Sequence, residues 1–305
     1  IGVPIPKIYT VGVDALTIQA CINLCASPSA TNQYVVRIPP GSYVENLTLK
    51  GGVNLQGMGN MNDTLTTSIT GNHTLTGNAV NPLDNRMTIE NCLLVNNSDT
   101  LATITMSSTT DQQVNVTGCF LQTNSLLTTS MIFNIGPNVR LYVYSCMLRM
   151  NGTANSGGTH FNMTGGQLYC PYDADISGGT KAINMTGANA AQAFLYHSQF
   201  NCSNTAEIIS IANAGSYVLA GWCSFANSTA NGSGANIATA NAFMGTVSCG
   251  FAIAAGTGYV INGVTGSVFF FANNSYSNTT AAAYNVKIKN LVTALAYTTT
   301  LTPSA

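Results

Sequence analysis

A nine-residue block recurs along this chain, and its clearest copies place a cysteine every 27 residues. They are Arg86-Met-Thr-Ile-Glu-Asn-Cys92-Leu-Leu94, Gln113-Val-Asn-Val-Thr-Gly-Cys119-Phe-Leu121 and Arg140-Leu-Tyr-Val-Tyr-Ser-Cys146-Met-Leu148. In each, the fifth residue after the cysteine is asparagine: Asn97, Asn124 and Asn151. Looser copies keep the phase around Tyr169-Cys170-Pro-Tyr172, Leu195 to Phe200, Leu219-Ala-Gly-Trp-Cys223-Ser-Phe225, Val247-Ser-Cys249-Gly-Phe251 and Phe271 to Tyr276. Between the blocks a second segment repeats, as in Met131-Ile-Phe-Asn-Ile135, His160-Phe-Asn-Met163, Ala182-Ile-Asn-Met185, Ile208-Ile-Ser-Ile211 and Tyr259-Val-Ile261. Both segments are short, β-branched or aromatic, and punctuated by Gly, Asn, Ser or Thr, which is the pattern of strands. Self-similarity at a fixed period means that copies of one unit stack on each other and share a continuous core.

A period of about 25 to 27 residues with two or three strands in it predicts an all-β solenoid, a right-handed parallel β-helix. Leucine-rich repeats have a similar length, but their spaced leucines and in-strand asparagine consensus are missing. Stacking sets equivalent residues of successive coils about 4.8 Å apart. Cys92, Cys119 and Cys146 are therefore expected in one interior column, continued by Cys170, Cys223 and Cys249. Asn97, Asn124 and Asn151 are expected to form an amide ladder at a turn, each bonding its copy above and below. The N-terminal part differs. Asp14 is the expected N-cap of a short amphipathic helix from Ala15 to Cys25 that covers the open end of the solenoid, with Cys21 and Cys25 toward the first coil. The organisation expected is an arm and capping helix over 1–33, the β-helix over 34–280, and a cap or interface strand over 281–305.

After the helix come Tyr34-Val-Val-Arg-Ile38, Pro39-Pro-Gly-Ser42, Tyr43-Val-Glu-Asn-Leu-Thr-Leu49 and Val53-Asn-Leu-Gln-Gly57. This order of helix, strand, Pro-Gly turn, strand, Gly-Gly turn and strand resembles the first coils of pectin-lyase-like proteins, notably pectin methylesterases and phage tailspikes. The resemblance covers roughly residues 8 to 59. It implies the fold rather than an activity, since enzymes and structural proteins share it. For viral β-helices of this type it implies a trimer.

Only 6% of the residues are Asp, Glu, Lys or Arg, far below the roughly 25% usual in soluble domains. Neutral groups wet the surface instead: 35 Asn, 24 Ser and 38 Thr. A net charge of −1 without a basic cluster leaves no footprint for a nucleic-acid backbone. No apolar run reaches the roughly 18 to 20 residues of a membrane-spanning helix.

Candidate chemistry is sparse. The motif segments of pectin methylesterases and polygalacturonases are absent, which argues against enzymatic activity of those kinds. Glycoside hydrolysis needs two facing carboxylates, and the one close pair is Asp173 and Asp175 in Tyr172-Asp-Ala-Asp-Ile. Alternation along a strand would point both to one face, making them the weak candidates for catalysis or calcium binding. His73, His160 and His197 are expected at surface or turn positions. Trp222 and Phe269-Phe-Phe271 are candidates for a sugar platform, with core or interface packing as the expected role. The nine cysteines lack the spacing of zinc sites and are expected as free thiols. No cofactor is called for. Sequons at Asn46, Asn62, Asn72, Asn96, Asn115, Asn151, Asn162, Asn184, Asn201, Asn227, Asn231, Asn273 and Asn278 are glycan acceptors in a eukaryotic host or ladder residues.

The function expected is that of a non-enzymatic structural protein on a virion surface or otherwise extracellular: a capsid decoration or cement protein, a head fibre or a spike. Its expected partners are its own copies in a homotrimer, capsid or other virion proteins, and host surface glycans. The alternatives are an extracellular polysaccharide lyase, hydrolase or esterase, and a carbohydrate-binding adhesin.

Overall fold

The computed structural model describes residues 5–29, 32–59, 66–77, 86–150, 158–202, 207–228, 233–253, 261–263, 267–277, 285–290 and 296–300. Over these the chain winds as a parallel β-helix, each full coil giving one strand to each of three sheets of 11, 10 and 11 strands. We call them sheet A (for example Arg86–Glu90), sheet B (Leu93–Asn96) and sheet C (Ala102–Ser108), in the order in which a coil visits them. The register repeats as the sequence period requires. Arg86, Gln113, Arg140 and Gln167 stand above one another at 27-residue steps, and Gln167, Gln192 and Tyr217 at 25-residue steps.

Alternation along each strand sends one residue in and the next out, and like stacks on like inside. Phe133 and Phe161 lie parallel at 5.4 Å in sheet C. Phe200, Phe225 and Phe251 form a second stack in sheet B at 5.0 and 5.1 Å.

Sheet A passes to sheet B through two residues. The first has a left-handed backbone in eight successive coils: Asn91, Gly118, Ser145, Asp173, His197, Trp222, Ser248 and Asn273. The second points inward, and its carbonyl accepts from the next coil, as in Phe120 N–H to Cys92 (3.0 Å), Asp175 to Cys146 (2.9 Å) and Gly250 to Cys223 (2.8 Å). Cys92, Cys119 and Cys146 hold this inward position, as do Cys223 and Cys249, but Ala174 and Ser198 stand between the two groups. Cys170 departs from its expected place. It lies within a sheet A strand, opposite Leu195. The register slips between Tyr142/Tyr169 and Tyr144/Tyr172, where Pro171, with no N–H for the ladder, adds one residue as a bulge.

The helix spans Ile18–Leu24, shorter than expected, and its N-cap is Thr17, which accepts from Ala20 N–H at 3.1 Å. Asp14 is used elsewhere: its carboxylate accepts the Thr10 N–H at 2.6 Å and closes the preceding turn. A second cap comes from the first coil, where the Glu45 carboxylate accepts the N–H groups of Ile18 and Gln19, both at 3.0 Å. Ile18, Cys21 and Ile22 are buried against the end of the solenoid. The N-terminal arm is also part of the sheet, since Lys7–Thr10 pairs in parallel with Tyr34–Ile38. At the other end, Asn285–Asn290 continues sheet C in parallel and Ala296–Thr300 runs antiparallel on it.

All nine cysteines are free and buried. Burial pushes the thiols of Cys92 and Cys202 up to about 12 and that of Cys25 up to about 11. The Cys223 thiol hydrogen-bonds Cys249 and holds it down to about 7, but burial shields all nine, so a thiol-disulfide exchange reagent at pH 7 should label none of them in the folded protein and nine after unfolding in guanidinium. Two or more labelled natively would show that the column is open.

His73 and His160 are buried, contrary to the surface placement expected of them: His73 alternates inward with Leu75 on a sheet C strand, and the His160 ring is held between the carbonyls of Lys181 and Ser177. The Leu47 N–H donates to His73 Nδ1 at 3.3 Å, and burial pushes this imidazole down to about 4 from its usual 6.5. The unfolded ring takes up a proton near pH 6.5 and the folded ring only near 4, so the stability linked to His73 is complete above pH 6.5 and declines as pH falls. The loss should approach about 3 kcal/mol by pH 4. Guanidinium titrations from pH 7.5 to 4.5 should show this slope flattened in His73→Asn, whose amide oxygen can still accept the Leu47 N–H; equal slopes would rule His73 out as its source.

Candidate functional site

Asp173 and Asp175 do not share a strand face. Asp173 is the exposed left-handed turn residue, so strand alternation does not carry through it, and Asp175 opens the next sheet B strand between Met147 and Gln199. Among the described residues, no three His, Cys, Asp or Glu side chains converge as a metal site. The histidines are likewise apart. His160 has its ring nitrogens 3.1 Å from the carbonyls of Lys181 and Ser177, and His197 is an exposed turn residue. Among the described residues no helix is long and apolar enough to cross a membrane.

The outer surface is organised as ladders. On sheet C, Asn162 Nδ2 donates to Asn134 Oδ1 at 3.0 Å and Asn184 Nδ2 to Asn162 Oδ1 at 3.1 Å. Ser210 interrupts the column, which resumes with Asn262 donating to Asn236 at 2.9 Å. The signal was in the sequence, as the asparagine repeated in the second strand segment, although only the turn asparagines were singled out there. At the turn, Asn124 Nδ2 donates to Asn97 Oδ1 at 2.8 Å, and Asn151 lies outside the described residues. The same geometry sorts the sequons. Asn96 and Asn227 are buried, and the amides of Asn72, Asn96, Asn162, Asn184 and Asn227 all donate hydrogen bonds within the fold, which removes these five as open glycan acceptors. Asn115 is half-buried on sheet A and accepts from Gln113 at 3.2 Å, while Asn46, Asn201 and Asn273 are exposed. Asn62, Asn231 and Asn278 lie outside the described residues.

Sheet A carries the most distinctive surface. At the start of its strands, Arg140 pairs through two nitrogens with Asp111, which holds the guanidinium pKa up. Next to it Gln167 Nε2 donates to Gln192 Oε1 at 2.6 Å, and Tyr169 Oη donates to Gln167 Oε1 at 3.1 Å. Asp111, Arg140, Gln167 and Gln192 line a polar groove of about 420 Å³. One step along the strands, Tyr142, Tyr169 and Phe194 stack at 4.5 and 4.7 Å, and Tyr217 meets Phe194 edge-on at 5.4 Å. In the N-terminal coils the outward positions of sheet A include Arg37, Arg86 and Glu90. From Gln192 to Val247 the outward positions are uncharged: Gln192, Phe194 and Tyr196, then Tyr217 and Leu219, then Phe243 and Val247. A Cβ on Gly245 would lie 2.9 Å from Leu219 Cδ2 and 3.0 Å from Phe243 Cε1, so a larger residue there would have to displace the ends of these two side chains.

At the corner between sheets A and B a third stack stands free of the core. Trp222 lies parallel to His197 at 5.4 Å and 2°, and His197 faces Tyr172 at 6.3 Å. The Pro171 bulge adds one residue before Tyr172, which still stands in register with Tyr144, one position before the turn residue Asp173. Trp222 is 57% exposed, so it does not pack in the core of its own chain. Phe270 is 54% exposed on the last strand of sheet A. Left-handed backbone costs an ordinary residue about 1 to 2 kcal/mol, a cost that exposed Trp222 does not recover from burial.

The class defined by topology and surface is a three-sheet parallel β-helix with neutral ladders inside and out. No protein-family model matches the sequence, and no curated protein sequence matches it. Among solved structures, a pectin methylesterase from carrot is similar with a TM-score of 0.46 and 11% identity over 90% of this chain and 88% of that one. The A-module of the Azotobacter vinelandii mannuronan C-5 epimerase AlgE4 is similar with a TM-score of 0.35 and 11% identity over 87% of this chain and 95% of that one. The fold assignment rests on the strand topology of this chain itself.

The sheet C ladder can be tested directly. Asn162→Ala removes the partner of both Asn134 and Asn184 and should cost about 1 to 2 kcal/mol in denaturant unfolding, whereas Asn201→Ala, at an exposed position, should be neutral. Equal effects would show that the amide column adds nothing.

Proposed function

We propose that this chain is a non-enzymatic structural protein displayed on a virion surface, as a decoration protein, head fibre or spike, assembled as a homotrimer. The observation that carries the reading is that successive coils repeat one another outside as well as inside. The amide column on sheet C, the aromatic column on sheet A and the interior phenylalanine stacks each place one residue type above itself, so most coils differ little from their neighbours. A rod of equivalent coils serves stiffness, reach and resistance to unfolding. Acid/base chemistry instead requires titratable groups brought together at one place, and the described carboxylates are used in capping and pairing, as with Asp14, Glu45 and Asp111. The trimer and the particle setting follow the resemblance of the first coils to viral β-helices.

Light scattering on the purified protein, paired with a turnover screen against acidic polysaccharides, tests the reading. A stable mass of three chains and no turnover is the expected result. A monomer that cleaves, epimerises or de-esterifies a glycan would overturn it and return attention to Asp173 and Asp175.

A further inference from the structure

Six of the eight left-handed turn residues are Asn, Gly, Ser or Asp: Asn91, Gly118, Ser145, Asp173, Ser248 and Asn273. Small or short polar residues suit this turn, with glycine free of strain and Asn and Asp helped by local hydrogen bonds. Trp222 at φ 53° breaks the pattern, while His197 at φ 46° is of a type that adopts this backbone more readily. The core does not ask for them, because the inward residue of each turn is the one that follows, Ser198 and Cys223. An aromatic ring held on the surface by unfavourable backbone marks a position kept for what the ring meets outside the fold.

The rings also present a usable face. His197 covers one side of the Trp222 indole. The next residue along the row is Ser248, and among the described residues no ring stacks on the other side. The three turns that carry Tyr172, His197 and Trp222 hold no Lys or Arg, so an anionic ligand would meet the Asp173 carboxylate and no cation there. They do hold hydrogen-bonding groups beside the indole, with Ser224 and Gln199 exposed at the starts of the sheet B strands. An aromatic face flanked by hydroxyl and amide groups matches a sugar ring, which offers C–H groups on its face and hydroxyls at its edge.

The geometry points to a neutral saccharide site at this corner: a pyranose ring stacks on the open face of Trp222, the face turned toward Ser248 and away from His197. A stable contact with a second copy of the chain needs about 800 Å² from each partner, far more than this row of three residues offers. The inference is independent of the particle-surface reading: assembly mass tests that reading, and sugar binding tests this one.

The chain has one tryptophan, so its emission reports this site alone. The intact protein is titrated with maltohexaose, cellohexaose and mannohexaose, and with hexagalacturonate as the charged probe, following fluorescence and calorimetry. At least one neutral hexaose should shift the emission saturably. Trp222→Asn, which gives the turn the residue found at Asn91 and Asn273, should keep the wild-type unfolding midpoint and bind about tenfold more weakly or worse by calorimetry. Asp173→Asn, also suited to the turn and separated from the open indole face by His197, should bind as wild type and leave the fold intact. The inference is overturned if no neutral probe binds, if hexagalacturonate binds best, or if Trp222→Asn binds as well as wild type. It is equally overturned if the emission shifts only with protein concentration, which would make the corner a self-association surface.

Discussion

Each coil of this protein can satisfy its strand N–H and C=O groups only through the coils above and below it. Strands within one coil belong to different sheets and exchange no ladder bonds, so register between coils sets everything else. The tight turn between sheets A and B shows how it is kept. Its left-handed residue sends its N–H to the following coil, as from Gly118 to Tyr144 at 3.0 Å and from Trp222 to Val247 at 3.0 Å, so the corner belongs to the ladder. Length variation goes elsewhere: coils shrink from 27 to 25 residues while this two-residue corner persists.

Register in turn explains the composition. Stacking puts each residue about 4.8 Å from its equivalent, where like charges repel. Amides, thiols, aromatic rings and aliphatic side chains can stand beside their own kind, and these fill the columns. The few charges escape repetition by bonding across coils to something unlike themselves. Arg140 holds Asp111, Lys181 meets Glu207 at 2.8 Å, and Glu90 accepts from Gln56 at 2.7 Å. A chain with 6% charged residues is thus what long in-register stacking favours.

The repeat was legible because cysteine and asparagine kept their spacing through three coils, and with it came the coil length and the interior column. What stayed hidden depended on local backbone. Cys170 was assigned to the column by residue type, but one proline upstream of the corner moved the phase, and Ala174 took the place. Asp14 and Thr17 are both good caps by type; only the Thr10 N–H, which claims Asp14, decides between them. The left-handed corner could have been guessed from Asn91, Gly118 and Ser145, yet Trp222 disguises it, because it does not look like a turn residue. The candidate site was hardest to see for that reason.

The two ends of the solenoid are unlike. At the start, helix Ile18–Leu24 lies across the interior, while at the finish Ala296–Thr300 reverses direction on sheet C. A parallel sheet can in principle grow without limit, since every new strand presents the same edge as the last. A reversed strand presents a different edge, on which a further coil of the same winding would meet an antiparallel partner in place of a parallel one. In the language of polymer chemistry, sheet C changes its mode of addition at Ala296–Thr300, from repeated head-to-tail stacking to a single reversed step.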